Sequence, residues 1–425
     1  MTVEVEGGRG RACSLRVFRG EQKLRAYIGF LWFFECAAEE PAAVAVQRGV
    51  DAVVAQTPEL SGRLCEHSAT GTVTVDYEDP PRAVAVERRR ADCAYSELAE
   101  GAFSQSAPLF AGVPGLTPVL DGLPVLAVQI VTLREGGGLV VVVLCHHVLV
   151  DGTAAFAVAQ RISLASSCSS LGEQQASAAL WADRQVVEDL LRAYPPPADV
   201  ADETKAAEIG PRPLAIHGEM QQRQIRITQS LLEALRSDSS SSATVAVLAL
   251  LWRAWARALK AHGSQGTMSY AGGPVDMRAL GGPQLQSYLG NFIQLLPLAA
   301  TRAAILGGTL ADVAALVRTN FGRCSVSLGG VRAMLEAPTD DLAARLAVSD
   351  TPLLAFSNIA RLPFHTLDFG IATPSAVRMR ALDAPHMVFA YSDGAGGILA
   401  NIILPQSMFD ALAADPELTR YARLT

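Results

Sequence analysis

Residues 138–152 read GLVVVVLCHHVLVDG. The unbroken run of valine and leucine after a glycine is the pattern of a strand buried on both faces. It ends on two histidines, with an aspartate four residues after the second and a glycine behind it. A single histidine beside a core strand is ordinarily structural, satisfied by a nearby carbonyl. Three polar side chains at the mouth of one buried strand carry a desolvation cost that points to a site. A neutral imidazole is the side chain best matched to taking a proton near neutral pH, and a glycine permits a sharp turn.

Around this strand the first half alternates strands and helices. PAAVAVQRGVDAVVAQTPEL has helical spacing, while GTVTVDY, PRAVAVE and PVLAVQIVTL are β-branched runs bounded by Gly, Pro or charge. Residues 193–226 carry prolines at 195, 196, 197, 211 and 213 and read as a crossover linker. Beyond it, ITQSLLEALRS and ATVAVLALLWRAWARALKAHG read as helices, the second nearly all apolar apart from a wet stripe of Arg253, Arg257 and Lys260, with Ser242 or Thr244 as N-cap. FIQLLPLAA, MVFAYSD and GILANIILP read as strands. The class is α/β.

The totals fit two domains. A chain of 425 residues exceeds the size at which one core keeps growing, which predicts domains over 1–192 and 227–425. Half the residues are apolar and 18% are charged, against roughly 25% in an average soluble protein, so the chain can bury a large core. A net charge of -7 argues against nucleic acid as a partner. The seven cysteines are scattered with no C-x-x-C pair, which suggests neither a disulfide framework nor a zinc knuckle and predicts a reducing cytoplasm. The charged, glycine-rich N-terminus does not read as a secretory signal, and the apolar stretches fall short of the roughly 18 residues of a membrane span. A soluble, monomeric protein without membrane contact is expected.

Other chemistries find little support. Successive side chains of an extended segment point to opposite faces, so His146 and His147 do not aim at one metal ion, and no H-E-x-x-H supplies further ligands. HGSQG has His262 where a G-x-S-x-G elbow needs glycine, and neither a P-loop nor G-x-G-x-x-G is present.

HHVLVDG matches H-x-x-x-D-G and resembles the BAHD-type acyl-CoA-dependent acyltransferases; its doubled histidine is also similar to the condensation domains of peptide synthetases, in the same chloramphenicol acetyltransferase-like superfamily. Further segments fall in that family's order: PELSGRL at 58–64, ALLWRAWARA at 249–258, VDMRAL at 275–280, YLGNF at 288–292 and DFGIATP at 368–374. Two departures stand out. Ile371 and Ala372 replace the Trp-Gly of D-F-G-W-G, and Ile359 in FSNIARLP replaces a tryptophan. A kinase D-F-G is excluded, since no glycine-rich loop or H-R-D segment precedes it.

The resemblance implies two chloramphenicol acetyltransferase-like domains, each a mixed sheet flanked by helices, with an active-site tunnel between them. It implies His147 as general base, Asp151 turned away to pair with Arg278, and Ser357 and Asn358 as candidate oxyanion or substrate donors. His146, Gly152 at the turn, Asn291, Asp368 and Gly370 are implied as structural support. Acyl-CoA is the implied co-substrate, with no permanently bound cofactor and no metal, and a small-molecule alcohol or amine, such as a specialised metabolite, is the implied acceptor. A carrier-protein-dependent condensation enzyme and a non-catalytic ligand binder of the same fold are the alternatives.

Overall fold

The computed structural model describes residues 11–35, 38–95, 117, 119–134, 138–167, 180–196, 220–324, 326–336, 353–380 and 386–424. In the first half the strands are β1 (Arg11–Arg16), β2 (Tyr27–Phe34), β3 (Arg63–His67), β4 (Thr72–Asp79), β5 (Val86–Ala91), β6 (Leu126–Leu133) and β7 (Leu139–His146). In the second half they are β8 (Met220–Ile227), β9 (Met268–Asp276), β10 (Ile293–Thr301), β11 (Leu353–Asn358), β12 (Ala376–Arg380), β13 (Met387–Ser392), β14 (Ile398–Pro405) and β15 (Arg423–Leu424). The helices that matter below are α1 (Glu39–Gln56), α2 (Gly152–Ser167), α3 (Arg184–Arg192), α4 (Gln229–Ser239) and α5 (Ala243–Ala261).

The quoted strand is β7, buried at every position and central in a sheet of order β12-β2-β7-β6-β5. Val141, Val143 and Cys145 face one core with α1 and α2, while Val140, Val142 and Leu144 face a second with Tyr27, Leu31 and Phe33. Two apolar faces explain why the sequence shows no alternation. The helices α1 and α2 approach closely at Gly49, where an added Cβ would stand 2.4 Å from the Ile162 carbonyl oxygen.

The second sheet runs β10-β9-β11-β13-β14-β8-β15, parallel between β9 and β11 and between β11 and β13, and antiparallel elsewhere. Alternation along its strands divides it between two cores. Val388, Ala390, Ala400 and Ile402 face α5 and the helices beside it, whereas Phe389, Tyr391, Leu399 and Ile403 pack into the core of the first half. A third sheet of order β1-β4-β3 completes the fold.

Three expectations need correction. The linker expected over 193–226 ends early, because 220–227 is β8: Ile225 and Ile227 face a core while the intervening residues are polar, a weak strand signal after a proline-rich stretch. Most of the remaining linker, 197–219, lies outside the described residues. The boundary at 227 is also not clean, since β12 leaves the second half and pairs with β2, setting Ala376 opposite Phe33. Finally, Arg253 and Arg257 are not a wet stripe: Arg253 donates to Glu417 at 2.7 Å and Arg257 to Asp415 at 2.6 Å, tying α5 to the chain end. Ser242 is the N-cap of α5 by backbone but makes no side-chain cap bond. Among the described residues no single helix is long and apolar enough to cross a membrane.

Candidate active site

Where β7 ends, the chain makes a tight turn, with the Leu149 and Val150 amides donating to the His146 carbonyl at 3.0 and 3.3 Å. The two histidines then diverge. His146 is fully buried, its ring edge-on to Tyr27 with centroids 4.8 Å apart. Its Nδ1 accepts from the Val148 amide at 3.3 Å, so its proton sits on Nε2 and faces Thr117 Oγ1 at 2.9 Å. His147 is only partly buried. Its Nδ1 lies 2.7 Å from the Val150 carbonyl oxygen, which can only accept, so Nδ1 carries the proton and Nε2 keeps a free lone pair. Burial pushes the His147 pKa below its ordinary value, opposed by the Val150 carbonyl, Asp151 and Asn291. Burial drives that of His146 down to about 3. Both rings are therefore neutral at neutral pH, but only His147 keeps partial exposure and a ring nitrogen without a hydrogen-bond partner among the described residues.

Asp151 is buried, 2% exposed. Its Oδ1 accepts from the Ala154 amide at 2.9 Å, starting α2, and its Oδ2 accepts from the Phe292 amide at 3.0 Å while pairing with Arg278 Nη1 at 2.8 Å. Arg278, 2% exposed, directs its other donors to the Tyr288 carbonyl at 3.2 Å, the Gly290 carbonyl at 2.7 Å and Asp276 at 3.1 Å. The pair thus fastens the histidine turn to the YLGN segment. Gly152 corrects an expectation: it opens α2 without a positive φ, and an added Cβ would meet only Ile359 Cγ2, at 3.7 Å. The turn is made by 147–150, and Gly152 contributes open space beside the Ile359 side chain.

A second buried ion pair, missed in the sequence, lies under the same turn. Glu21 Oε1 accepts from Arg184 at 3.1 Å and from the Asn291 amide and Nδ2 at 3.1 and 3.0 Å, while Oε2 accepts from the Phe18 amide at 2.9 Å. Asn291 Nδ2 also donates to the His147 carbonyl at 3.0 Å. Arg184 bonds the Tyr288 hydroxyl, and its guanidinium lies over the Phe18 and Tyr288 rings, 5.4 and 5.3 Å from their centroids. This explains the glycine of YLGN, since a Cβ at Gly290 would stand 1.8 Å from Arg184 Nη1. Each charge stands among others in the sequence, Glu21 between Arg19 and Lys23 and Arg184 beside Asp183, and spacing gives no way to join residues so far apart.

The remaining candidates divide. Ser357 sits opposite Phe389 in the parallel register and so shares the face turned to the first half, while Asn358 sits opposite Ala390 on the face turned to α5. Asn358 accordingly donates to Thr244 at 2.8 Å and accepts from the Ala360 amide at 3.0 Å, which engages its amide away from the histidine turn and corrects its assignment as an oxyanion donor. The contact of Ile359 with the position above Gly152 places the end of β11 next to that turn. Asp368 and Gly370 stand at the far end of α2, roughly 20 Å along its axis. Asp368 accepts from the Ser167 hydroxyl and the Gly370 amide, Phe369 donates to Ser163 Oγ at 2.9 Å, and Gly370 has a φ of 69°. They are scaffold. Among the described residues no group of three or more His, Cys, Asp or Glu is placed to hold a metal ion.

Set beside known proteins, the fold is shared with several solved structures. TRI101 of F. sporotrichioides, solved with coenzyme A and T-2, superposes with a TM-score of 0.76 over 97% of this chain and 99% of its own at 19% identity. Vinorine synthase gives 0.69 over 99% and 95% at 16% identity. The first condensation domain of the calcium-dependent antibiotic synthetase gives 0.65 over 95% and 98% at 15% identity. None of the curated proteins compared with the chain matches it significantly. The family model described as "Transferase family" matches residues 50–419, a span that holds the histidine turn, Arg278, YLGN and the D-F-G loop, and the chain therefore belongs to that family, the BAHD-type acyltransferases.

Proposed function

We propose that the protein transfers an acyl group from acyl-CoA to the hydroxyl or amine of a small-molecule acceptor, with His147 as general base. The observation that carries this is the lone pair on His147 Nε2, fixed by the Nδ1 bond to Val150, on a residue that keeps partial exposure while its neighbour has none. Nε2 takes the acceptor proton as the oxygen or nitrogen attacks the thioester carbonyl. Ser357 is the candidate donor to the oxyanion. Collapse breaks the carbon–sulfur bond and releases CoA thiolate, which recovers the proton from the imidazolium. No acyl-enzyme forms, and no metal or resident cofactor takes part. TRI101 solved with coenzyme A and T-2 mycotoxin, or with deoxynivalenol, supports an acceptor of that size class, a specialised metabolite rather than a macromolecule. We place the protein in the cytoplasm as a monomer.

The likeness to a condensation domain favours one second reading, an acyl donor held on a carrier protein. One experiment separates them: the purified protein is given a panel of acyl-CoAs and small alcohols and amines, with free thiol and product mass recorded. CoA release with an acylated product supports the proposal. Turnover only with a phosphopantetheinyl carrier favours the second reading, and ligand binding without turnover on any donor favours a non-catalytic binder.

A further inference from the structure

The ion pair under the histidine turn does more than fill a polar gap, provided that His147 is the base as proposed above. Asn291 Nδ2 has two hydrogens and both are used, one on the His147 carbonyl and one on Glu21 Oε1, each at 3.0 Å. The His147 peptide is thereby gripped from both sides, since its own N–H donates to the Ala26 carbonyl at 2.8 Å. An asparagine amide is nearly the same shape either way round. Turned over, it would set Oδ1 against the His147 carbonyl, oxygen to oxygen. A carboxylate accepts and does not donate, so Glu21 selects the orientation in which Nδ2 faces His147. Glu21 is fully buried and Arg184 is 6% exposed; burial raises the Glu21 pKa above the ordinary carboxylate value, and the Arg184 guanidinium, with the Asn291 and Phe18 donors, opposes that rise. Asn291 Oδ1 is itself buried without a hydrogen-bond partner, a cost accepted at a residue that joins Glu21 to the histidine turn; Arg184 makes a second, longer link to that turn through the Leu149 carbonyl at 3.4 Å.

We propose that Glu21 is a positioning residue for His147, acting through the Asn291 amide. The test compares wild type, Glu21→Gln, Asn291→Ala and the double variant by kcat, KM for acyl-CoA, urea unfolding and the imidazole 15N spectrum. The His147 signals are identified as those absent from His147→Ala. Each single variant is expected to lower kcat per folded molecule by roughly tenfold to a hundredfold with little change in KM. The double variant is expected to lose no more than the worse single one, because both changes break one link. The His147 nitrogens are expected to leave the pure Nδ1–H pattern in both. Losses that multiply in the double variant, a kcat deficit that vanishes once folded protein is counted, or unchanged His147 nitrogens would overturn the proposal. Should Glu21→Gln not fold, Glu21→Gln with Arg184→Met removes both charges and is expected to show the same kcat deficit, normal kcat being contrary. Turnover surviving in His147→Ala would remove the base itself, whereas the spectrum needs no turnover and tests the link alone.

Discussion

His146 and His147 are neighbours in the chain, yet they occupy opposite situations. His146 is enclosed, receives the Val148 amide on Nδ1 and presents its Nε2 proton to Thr117. One residue on, His147 gives its Nδ1 proton to the Val150 carbonyl and leaves Nε2 bare. The two rings are held in opposite tautomers. What decides the role of each is the set of partners around its ring, and the strand end supplies the division because adjacent side chains leave it in different directions.

The contrast can be broken most severely at the second ring. His147→Ala is expected to cut turnover by about two to four orders of magnitude while leaving the thermal midpoint close to wild type, as followed by CoA thiol release and by circular dichroism. Asp151→Asn removes the charge opposite buried Arg278 and is expected to lower unfolding free energy by about 3 kcal/mol, read from the urea midpoint. His146→Ala is the inverse of the first variant. It strands the Thr117 hydroxyl and the Val148 amide, and is expected to cost roughly 1–3 kcal/mol of stability while affecting turnover per folded molecule far less than His147→Ala does.

Acid sharpens the same comparison. The folded-state pKa of His146 lies near 3 against an ordinary 6.5, so its contribution to stability is complete above 6.5 and drains away as pH falls toward 3. Urea unfolding at pH 7 and 4.5 is expected to show a larger acid loss in wild type than in His146→Asn. The smallest expected effect is kinetic: because burial lowers the His147 pKa, the acid limb of kcat/KM is expected to have its midpoint below 6.5, and a midpoint above it would contradict the reading of that ring.

Much of this site is legible in the sequence because it is contiguous there. HHVLVDG carries the base and its anchor within one turn, and Arg278 and Asn291 lie in short segments with their own spacing. Glu21 and Arg184 cannot be found that way, since they meet only after the N-terminal loop and the start of α3 have been folded against YLGN. The same limit explains Arg253 and Arg257, whose spacing gives a stripe but not the acids at 415 and 417 that cover it. Asn358 escapes a reading from sequence because its role depends on which face of β11 it occupies, and register is a property of the pair, not of the strand.

The strand that crosses from the second half back to the first has a consequence for biosynthesis. β12 covers the outer edge of β2, and its residues 376–380 leave the ribosome more than 340 residues after those of β2. Until then β2, YIGFLWFF, presents an unpaired and strongly apolar rim, the kind that recruits other strands. A piece that stops short of β12 is thus a sticky fragment, and the nascent chain has reason to depend on holding factors until β12 is available to close that edge.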